Sequence, residues 1–416
     1  MVSHPAVTPF QRLLFKQLSR FIGQAPIRLR LGTGSSSLSD GTGPECVVIY
    51  DNSALVGMML DPEIGFGDAY MKGRVDIEGD LVHALEVIFR AMQGSSKRRW
   101  FDRLASDWLE HLQANTLDGS ASNIHHHYDL NTDFYKMWLD PQLVYTCAYF
   151  PAPSATLEKA QLAKLDYICR KLQLQPGERV VDAGCGWGAL AIYMAKHYGV
   201  TVQAYNISHE QIEYGRARAR KEGLAGRIEF IEDDYRNISG DFDVFVSVGM
   251  LEHVGRENYR VLGETIHRAI GDSGRGLIHF IGRNRPEQFS TWIRKRIFPG
   301  AYVPSLREAI EIFEQHEYAV LDVENLRRHY ALTLQHWLNR YERSADCVIE
   351  LFGPEFFRAW KLYLAGSGAS FRIGQLQLFQ VAFAGSACQR IPWTRAYLYA
   401  EESQVEEESR WSHAAF

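Results

Sequence analysis

Val181-Asp182-Ala183-Gly184-Cys185-Gly186-Trp187-Gly188 is the stretch on which the reading of the fold turns. It ends the apolar run RVVDAG and opens into the helical pattern GALAIYMAKHYG. Glycines at a strand-to-helix junction let the backbone turn tightly and approach a ligand closely. The chain alternates on either side of it. Upstream, KAQLAKLDYICRKL has helical spacing. Downstream come strand TVQAYNI, helix EQIEYGRARARKEG, strands RIEFIEDD and FDVFVSVG, helix ENYRVLGETIHRAI and strand GLIHFIG. YAVLDVENL and QLQLFQVAF read as two later strands. Such alternation predicts an α/β fold: a Rossmann-like parallel sheet with helices on both faces and right-handed crossovers.

Further out the patterns change. Residues 26–60 read as β-structure with turns, built on IRLRL, a Gly/Ser-rich loop and CVVIYD. LVHALEVIFRAM at 81–92 reads as an apolar helix, so a small α+β domain is expected over 1–93. Residues 94–124 read as a helical linker, 125–396 as the main α/β domain and 397–416 as an acidic tail.

The composition is that of a globular protein large enough to bury its own core. The chain has 416 residues, 23% charged and 46% hydrophobic, which excludes a disordered or disulfide-stapled chain. Lys+Arg 45 against Asp+Glu 50 gives a net charge of -5, which disfavours a general nucleic-acid binder. The opening MVSHPAVTPFQRLLFKQLSRFIG has no continuous apolar core of a secretory signal. The six cysteines form no CxxC pair, so a cytoplasmic protein with reduced thiols and no zinc is expected. His125, His126 and His127 are sequence neighbours, which rarely point at one ion.

Two readings compete for the glycine stretch. Gly184, Gly186 and Ala189 fit a dinucleotide fingerprint, which expects an acidic residue about 20 positions on for the ribose. The second strand ends instead Ala204-Tyr205-Asn206-Ile207-Ser208. Asp182, two positions before the first glycine of GxGxG, resembles the S-adenosylmethionine (SAM) methyltransferase pattern.

Further segments narrow the resemblance. His127-Tyr128-Asp129-Leu130-Asn131 is followed by Phe134-Tyr135 and Leu143-Val144-Tyr145-Thr146-Cys147-Ala148-Tyr149-Phe150. Then come Met250-Leu251-Glu252-His253-Val254-Gly255, Ile278-His279-Phe280-Ile281-Gly282, Phe298-Pro299-Gly300, His329-Tyr330-Ala331-Leu332-Thr333-Leu334 and Phe371-Arg372. In this order around DAGCGWG, the set resembles the cyclopropane-fatty-acyl-phospholipid synthase family, over about residues 125–385. IGFGDAYMKG at 64–73 resembles the extra domain of the phospholipid-acting members.

The resemblance implies a class I SAM-methyltransferase domain with two pockets. Tyr128, Tyr145, Thr146, Gly184, Gly186, Asn206, Gln211 and Tyr235 match positions that line the SAM pocket, with Asp182 in the same motif. Cys147, Glu252, His279, Ile281 and Tyr330 match positions that hold a bicarbonate ion beside the methyl group. The implied reaction adds the SAM methyl carbon across a cis double bond of a membrane phospholipid acyl chain. The implied assembly is a homodimer at the inner face of the membrane. Aromatic faces suit a sulfonium and a carbocation, and Tyr128, Tyr145, Tyr235 and Tyr330 are the rings expected to supply them. A base is needed only for ring closure. Glu252 is expected to hold His279 or the bicarbonate proton.

Taken singly, these residues have plain readings. Cys147 would be a small buried hydrophobe, Glu252 a solvated helix-start carboxylate and His279 a satisfied core histidine. Their joint spacing carries the site. One departure is Ser367, where many family members have a cysteine; a methylene- or methyl-branched product therefore stays open. So do a small-molecule N-methyltransferase and a lipid-binding module with an inactive core. For membrane contact the sequence offers a basic amphipathic helix at 8–22, Lys97-Arg98-Arg99-Trp100-Phe101, and Trp292-Ile293-Arg294-Lys295-Arg296-Ile297-Phe298 at the acyl-chain entry.

Overall fold

A computed structural model describes residues 25–32, 43–93, 131–287 and 290–399. The helix expected at 8–22, the Lys97–Phe101 cluster, the three consecutive histidines and Tyr128 lie outside the described residues.

The N-terminal part contains β1 (Arg28–Leu31), β2 (Cys46–Ile49), α1 (Asn52–Leu60), α2 (Pro62–Met71), β3 (Val75–Glu78) and α3 (Leu81–Gln93). Its strands form a three-stranded sheet in the order β1-β2-β3. Ile27, Leu29, Val47, Ile49, Leu55, Met58 and Val75 make a separate small core. Expecting β-structure throughout 26–60 requires correction, because Asn52–Leu60 is helical. The segment lacks period-two alternation, and Asp51 caps it by accepting from Ala54 N at 2.8 Å. Asp61 repeats the device for α2, accepting from Ile64 N at 3.1 Å, with Pro62 at the first helical position.

The main part contains α4 (Thr132–Lys136), α5 (Leu157–Lys171), β4 (Arg179–Ala183), α6 (Ala189–His197), β5 (Thr201–Asn206), α7 (His209–Lys221) and β6 (Ile228–Glu232). It continues through β7 (Val244–Val248), α8 (Leu251–Val254), α9 (Tyr259–Ile270), β8 (Arg275–Gly282), α10 (Thr291–Arg296) and α11 (Leu306–Glu314). It closes with β9 (Ala319–Asn325), α12 (Arg327–Arg343), α13 (Ala345–Phe352), α14 (Pro354–Arg372) and β10 (Gln377–Ala384). The seven strands run β6-β5-β4-β7-β8-β10-β9. β6, β5, β4, β7 and β8 are parallel, and β10 is antiparallel to both its neighbours. This is the expected α/β architecture, with one correction to the parallel sheet expected: β10 inserts antiparallel between β8 and β9. From β4 the chain proceeds outward to β5 and β6, then returns to β7 on the other side. That reversal opens a crevice over the carboxyl ends of β4 and β7.

The two parts interlock through α2. Trp292 of α10 is buried, so the segment read as a membrane-facing stretch presents its indole to the protein instead. A Cβ on Gly67 would lie 2.3 Å from the Trp292 ring. Trp292 Nε1 donates to Asp68 Oδ1 at 3.2 Å, and Arg296 closes on the same carboxylate at 2.7 Å. Gly67→Ala is therefore expected to cost about 1–3 kcal/mol by overpacking, read as a lower denaturant midpoint. At the other end, Leu398 is buried and Tyr399 stands 6.4 Å from the Tyr167 ring. The tail placed from 397 thus still packs on α5 through Tyr399, and 400–416 lie outside the described residues.

Candidate active site

The glycine loop leaves β4 with Gly184 at φ +86°, a conformation that favours glycine. Gly184 and Cys185 both donate their backbone N–H to Tyr205 O, at 2.9 and 3.0 Å. Gly188, at φ +80°, starts α6; a Cβ there would lie 2.5 Å from the Phe230 ring. Gly186 stands between them, beside the end of β5, where Asn206 Nδ2 donates to its carbonyl at 3.4 Å and to Gln211 Oε1 at 2.7 Å. Tyr235 follows β6 in a short 3-10 turn. Asp182 Oδ2, Gln211 Nε2 and Tyr235 Oη are buried and have no hydrogen-bond partner among the described residues. Orphaned donors and acceptors at a crevice are what a polar ligand such as SAM would satisfy. Burial pushes the Asp182 carboxyl up to about 7, and the charge of Lys164 pulls it back down. One face of Tyr235 is already taken, with the Arg236 guanidinium 5.3 Å from its centroid.

The loop 143–150 forms a second wall. Leu143 sits at φ +57°, an uncommon backbone conformation for a branched residue. Asp140 secures the turn by accepting from Gln142 N and Val144 N at 2.9 and 3.1 Å. Gln161 of α5 donates to the carbonyls of Val144 and Thr146 at 3.2 and 3.0 Å. Tyr145 and Tyr363 share a hydrogen bond at 2.9 Å, and the Tyr145 ring is enclosed by Tyr135, Trp138 and Trp337. Cys147 is fully buried, which drives its thiol pKa far up. Ala148 N donates to Thr333 Oγ1 at 3.1 Å, tying this loop to α12. Tyr330, one turn earlier on α12, packs on Phe371 with centroids 4.6 Å apart.

The third wall comes from β7 and β8. Glu252, in the first turn of α8, is 7% exposed, so it is not the solvated carboxylate that its position alone suggested. Its Oε1 accepts from Ile281 N at 2.7 Å, and its Oε2 is buried without a partner among the described residues. Burial pushes its carboxyl up to about 7. His279 points the same way from β8 as Ile281, two residues on. Gln380 Nε2 faces His279 Nδ1 at 3.0 Å. With that nitrogen accepting, the ring proton sits on Nε2. Nε2 is buried and unpartnered among the described residues. Burial and then the charges of Lys164 and Lys171 hold His279 neutral. The expectation that Glu252 clamps His279 is corrected here. Each has its own support, a backbone N–H for one and Gln380 for the other.

The walls meet at one place. Gly249 N at the end of β7 donates to His279 O at 2.8 Å. A Cβ on Gly249 would lie 2.8 Å from Thr146, and one on Gly184 would lie 3.0 Å from Met250. Buried, unpartnered Glu252 Oε2 and His279 Nε2 are a fit for a small anion with one proton of its own, which can donate to the carboxylate while accepting from the imidazole. Two residues here carried no clear mark in sequence, Gln380 and Lys164. Their only signal is a polar side chain at a position that the periodicity of a strand or helix assigns to the core.

A family model described as mycolic acid cyclopropane synthetase matches residues 115–381. The chain is 34% identical over 348 residues to the cyclopropane-fatty-acyl-phospholipid synthase of Escherichia coli K12, covering 83% of this chain and 89% of that protein. It is 33% identical over 389 residues to a probable fatty acid methyltransferase of Pseudomonas putida, covering 90% of this chain and 96% of that one. Among solved structures it is similar to mycolic acid cyclopropane synthase CmaA1 complexed with SAH and CTAB, at TM-score 0.60 and 31% identity, covering 63% of this chain and 97% of the other.

Proposed function

The chain belongs to the mycolic acid cyclopropane synthetase family and is a SAM-dependent methyltransferase, and from that premise we propose that it builds cyclopropane rings on cis-unsaturated acyl chains of membrane phospholipids. One observation carries this reading. Glu252 Oε2 and His279 Nε2 are each buried without a partner among the described residues, the first beyond the end of β7 and the second on β8, where Gly249 meets Thr146 of the second wall. The 34% identity over 83% of this chain to a cyclopropane-fatty-acyl-phospholipid synthase favours an alkene over a nitrogen or oxygen as the methyl acceptor.

The chemistry asks little of the protein at first. SAM supplies an electrophilic methyl group, and the alkene π electrons form the new C–C bond as the C–S bond breaks. The acyl chain is left cationic, and loss of a proton from the added methyl group closes the ring. The net gain is one CH2. In our reading the glycine loop, Asn206, Gln211 and Tyr235 hold SAM. Tyr128 belongs to the same proposed set. The Tyr145 and Tyr330 rings face the cationic chain without offering it a nucleophile. Cys147, Glu252, His279, Ile281 and Tyr330 surround bicarbonate, which when bound supplies the base for ring closure. Glu252 holds the proton side of that ion, and His279 Nε2–H donates to it.

We further propose that residues 1–93 form a lipid-associated domain, that 125–396 is the catalytic unit, and that a homodimer works at the cytoplasmic face of a membrane. No helix among the described residues is long and apolar enough to cross a bilayer. Lys295 is exposed while Arg296 is engaged by Asp68. Charge reversal at Arg294 and Lys295 is expected to reduce co-sedimentation with anionic vesicles; unchanged sedimentation would remove this segment from the membrane face.

The decisive assay incubates the protein with labelled-methyl SAM and vesicles of cis-unsaturated phospholipid, then analyses the acyl esters. A gain of one CH2 with loss of the alkene is expected. A gain with an exocyclic methylene would assign the branched-product reaction, which the half-buried Ser367 of α14 leaves open. No incorporation with SAM binding intact would refute a lipid substrate.

A further inference from the structure

Lys164 lies where the two proposed pockets meet. It sits on the inner face of α5, 2% exposed. Its Nζ donates to Thr146 Oγ1 at 2.9 Å. With Gln161 one turn earlier holding the carbonyls of Val144 and Thr146, α5 grips the loop on both sides of Tyr145.

The company of this ammonium is unusual. Lys171, two turns further along the same helix, is also buried but has ion pairs with Glu324 and Asp322 at 2.6 and 3.3 Å. Lys164 has no ion pair among the described residues. Its charge instead interacts at longer range with Asp140, Cys147 and Asp182 and acts on His279. A buried charge without a direct counter-ion carries a large desolvation cost. Such a charge makes sense where a transient anion completes the balance. Cys147 and His279 are two residues of the proposed bicarbonate pocket, and Thr146, which Lys164 holds, adjoins Cys147 and stands against Gly249, whose N–H donates to His279 O.

We propose that Lys164 is a positioning residue for the anion pocket: its ammonium fixes Thr146, the neighbour of Cys147, and supplies the positive charge that lets an anion rest between Cys147 and His279. This rests on the reading of that pocket as a bicarbonate site. The groups facing Lys164 have distinct titration ranges. Burial lowers Lys164 to about 8. Asp182 and, across the pocket, Glu252 are raised to about 7, and Asp140 is raised from its ordinary value. Cys147 stays a thiol and His279 stays neutral. Ionisation of Asp182 weakens anion binding around pH 7, whereas Glu252 must ionise to accept the bicarbonate proton. Deprotonation of Lys164 weakens it again as pH rises through about 8.

The test measures binding, not turnover. The S-adenosylhomocysteine complex of the full chain is titrated with bicarbonate by calorimetry between about pH 6.5 and 9, a range that brackets these groups. In the unmodified protein, the dissociation constant is expected to rise about 10-fold across the step near pH 8. Lys164→Met should weaken bicarbonate binding about 10-fold at pH 7, read at saturating S-adenosylhomocysteine because Lys164 also holds Thr146 and acts on Asp182 on the SAM side. Lys164→Arg, which stays charged over the whole range, should bind bicarbonate normally at pH 7 and lose the step near pH 8. A Lys164→Met protein with the unmodified bicarbonate affinity overturns the proposal. So does a step near pH 8 that persists in Lys164→Arg, or one that is absent from the unmodified protein. If the unmodified complex binds no bicarbonate at all, the pocket reading itself falls and the anion role of Lys164 with it. The lipid methylation assay is independent of that outcome.

Discussion

Replacing Glu252 by Gln is expected to lower turnover by roughly 10²–10⁴-fold, the range of a lost acid–base contribution, with SAM affinity retained. The substitution is nearly isosteric. The glutamine carbonyl oxygen can still accept from Ile281 N, the bond Glu252 makes at 2.7 Å. What disappears is the second oxygen, buried and unpartnered, as a site able to take or share a proton. Methyl incorporation gives the rate, and calorimetry with S-adenosylhomocysteine gives the affinity. Full activity would remove Glu252 from the proposed site.

The same substitution has an opposite effect on stability, and its sign follows from linkage. Burial raises the folded-state pKa of Glu252 from 4.5 to about 7. Between those values the unfolded chain gives up this proton and the folded chain keeps it. Stability therefore falls as pH rises from about 4.5 to about 7, and the loss persists above that. Glutamine carries no such penalty. At pH 8 Glu252→Gln is expected to unfold at a denaturant midpoint equal to or above that of the unmodified protein while its turnover collapses. A residue kept at a cost to stability fits a functional role better than a structural one.

How much of this was legible beforehand depended on the range of the interactions. The glycine stretch and the alternation around it placed the five parallel strands, because a buried parallel sheet writes its apolar runs directly into sequence, whereas β9 and β10 were read as strands without the antiparallel run of β10. The helices α1 and α2 were missed. Their caps, Asp51 and Asp61, are local signals, but short apolar runs without clear periodicity are ambiguous between strand and helix. The burial of Trp292 was illegible for a different reason. Its partners Gly67 and Asp68 stand more than 220 positions away, and an aromatic-basic segment reads the same whether it faces lipid or another helix. Gln380 reaches His279 only because β10 pairs antiparallel with β8. Residue types at the site could be matched from motifs, whereas the side chains that hold them in place come from strand pairing and helix docking.

Phe134→Ala is expected to cost about 3–5 kcal/mol, the range for deleting a large buried ring, and to weaken SAM binding as well. Phe134 is fully buried in α4, a helix of five residues. Six rings surround it at centroid distances of 5.2 to 6.3 Å: Tyr135, Trp138, Tyr341, Phe352, Phe356 and Trp360. All six meet it edge-on, the geometry aromatic pairs favour. A helix this short has little stability of its own, so this ring decides where α4 sits. The position of α4 matters to the site through two links. Thr132 Oγ1 accepts from Trp187 Nε1 of the glycine loop at 3.1 Å. Tyr135 packs on both Trp187 and Tyr145, at 4.9 and 5.4 Å. Loss of the Phe134 ring should therefore loosen the glycine loop and the Tyr145 wall together. Phe134→Leu, which keeps most of the volume, should lose less of both. Chemical denaturation and SAM titration measure the two effects. If Phe134→Ala loses stability but binds SAM as before, the cluster supports the bundle alone. In that case the aromatic 12% of this chain would divide into rings that build the core and a separate few that face the ligand. The expected joint loss means that one aromatic network does both.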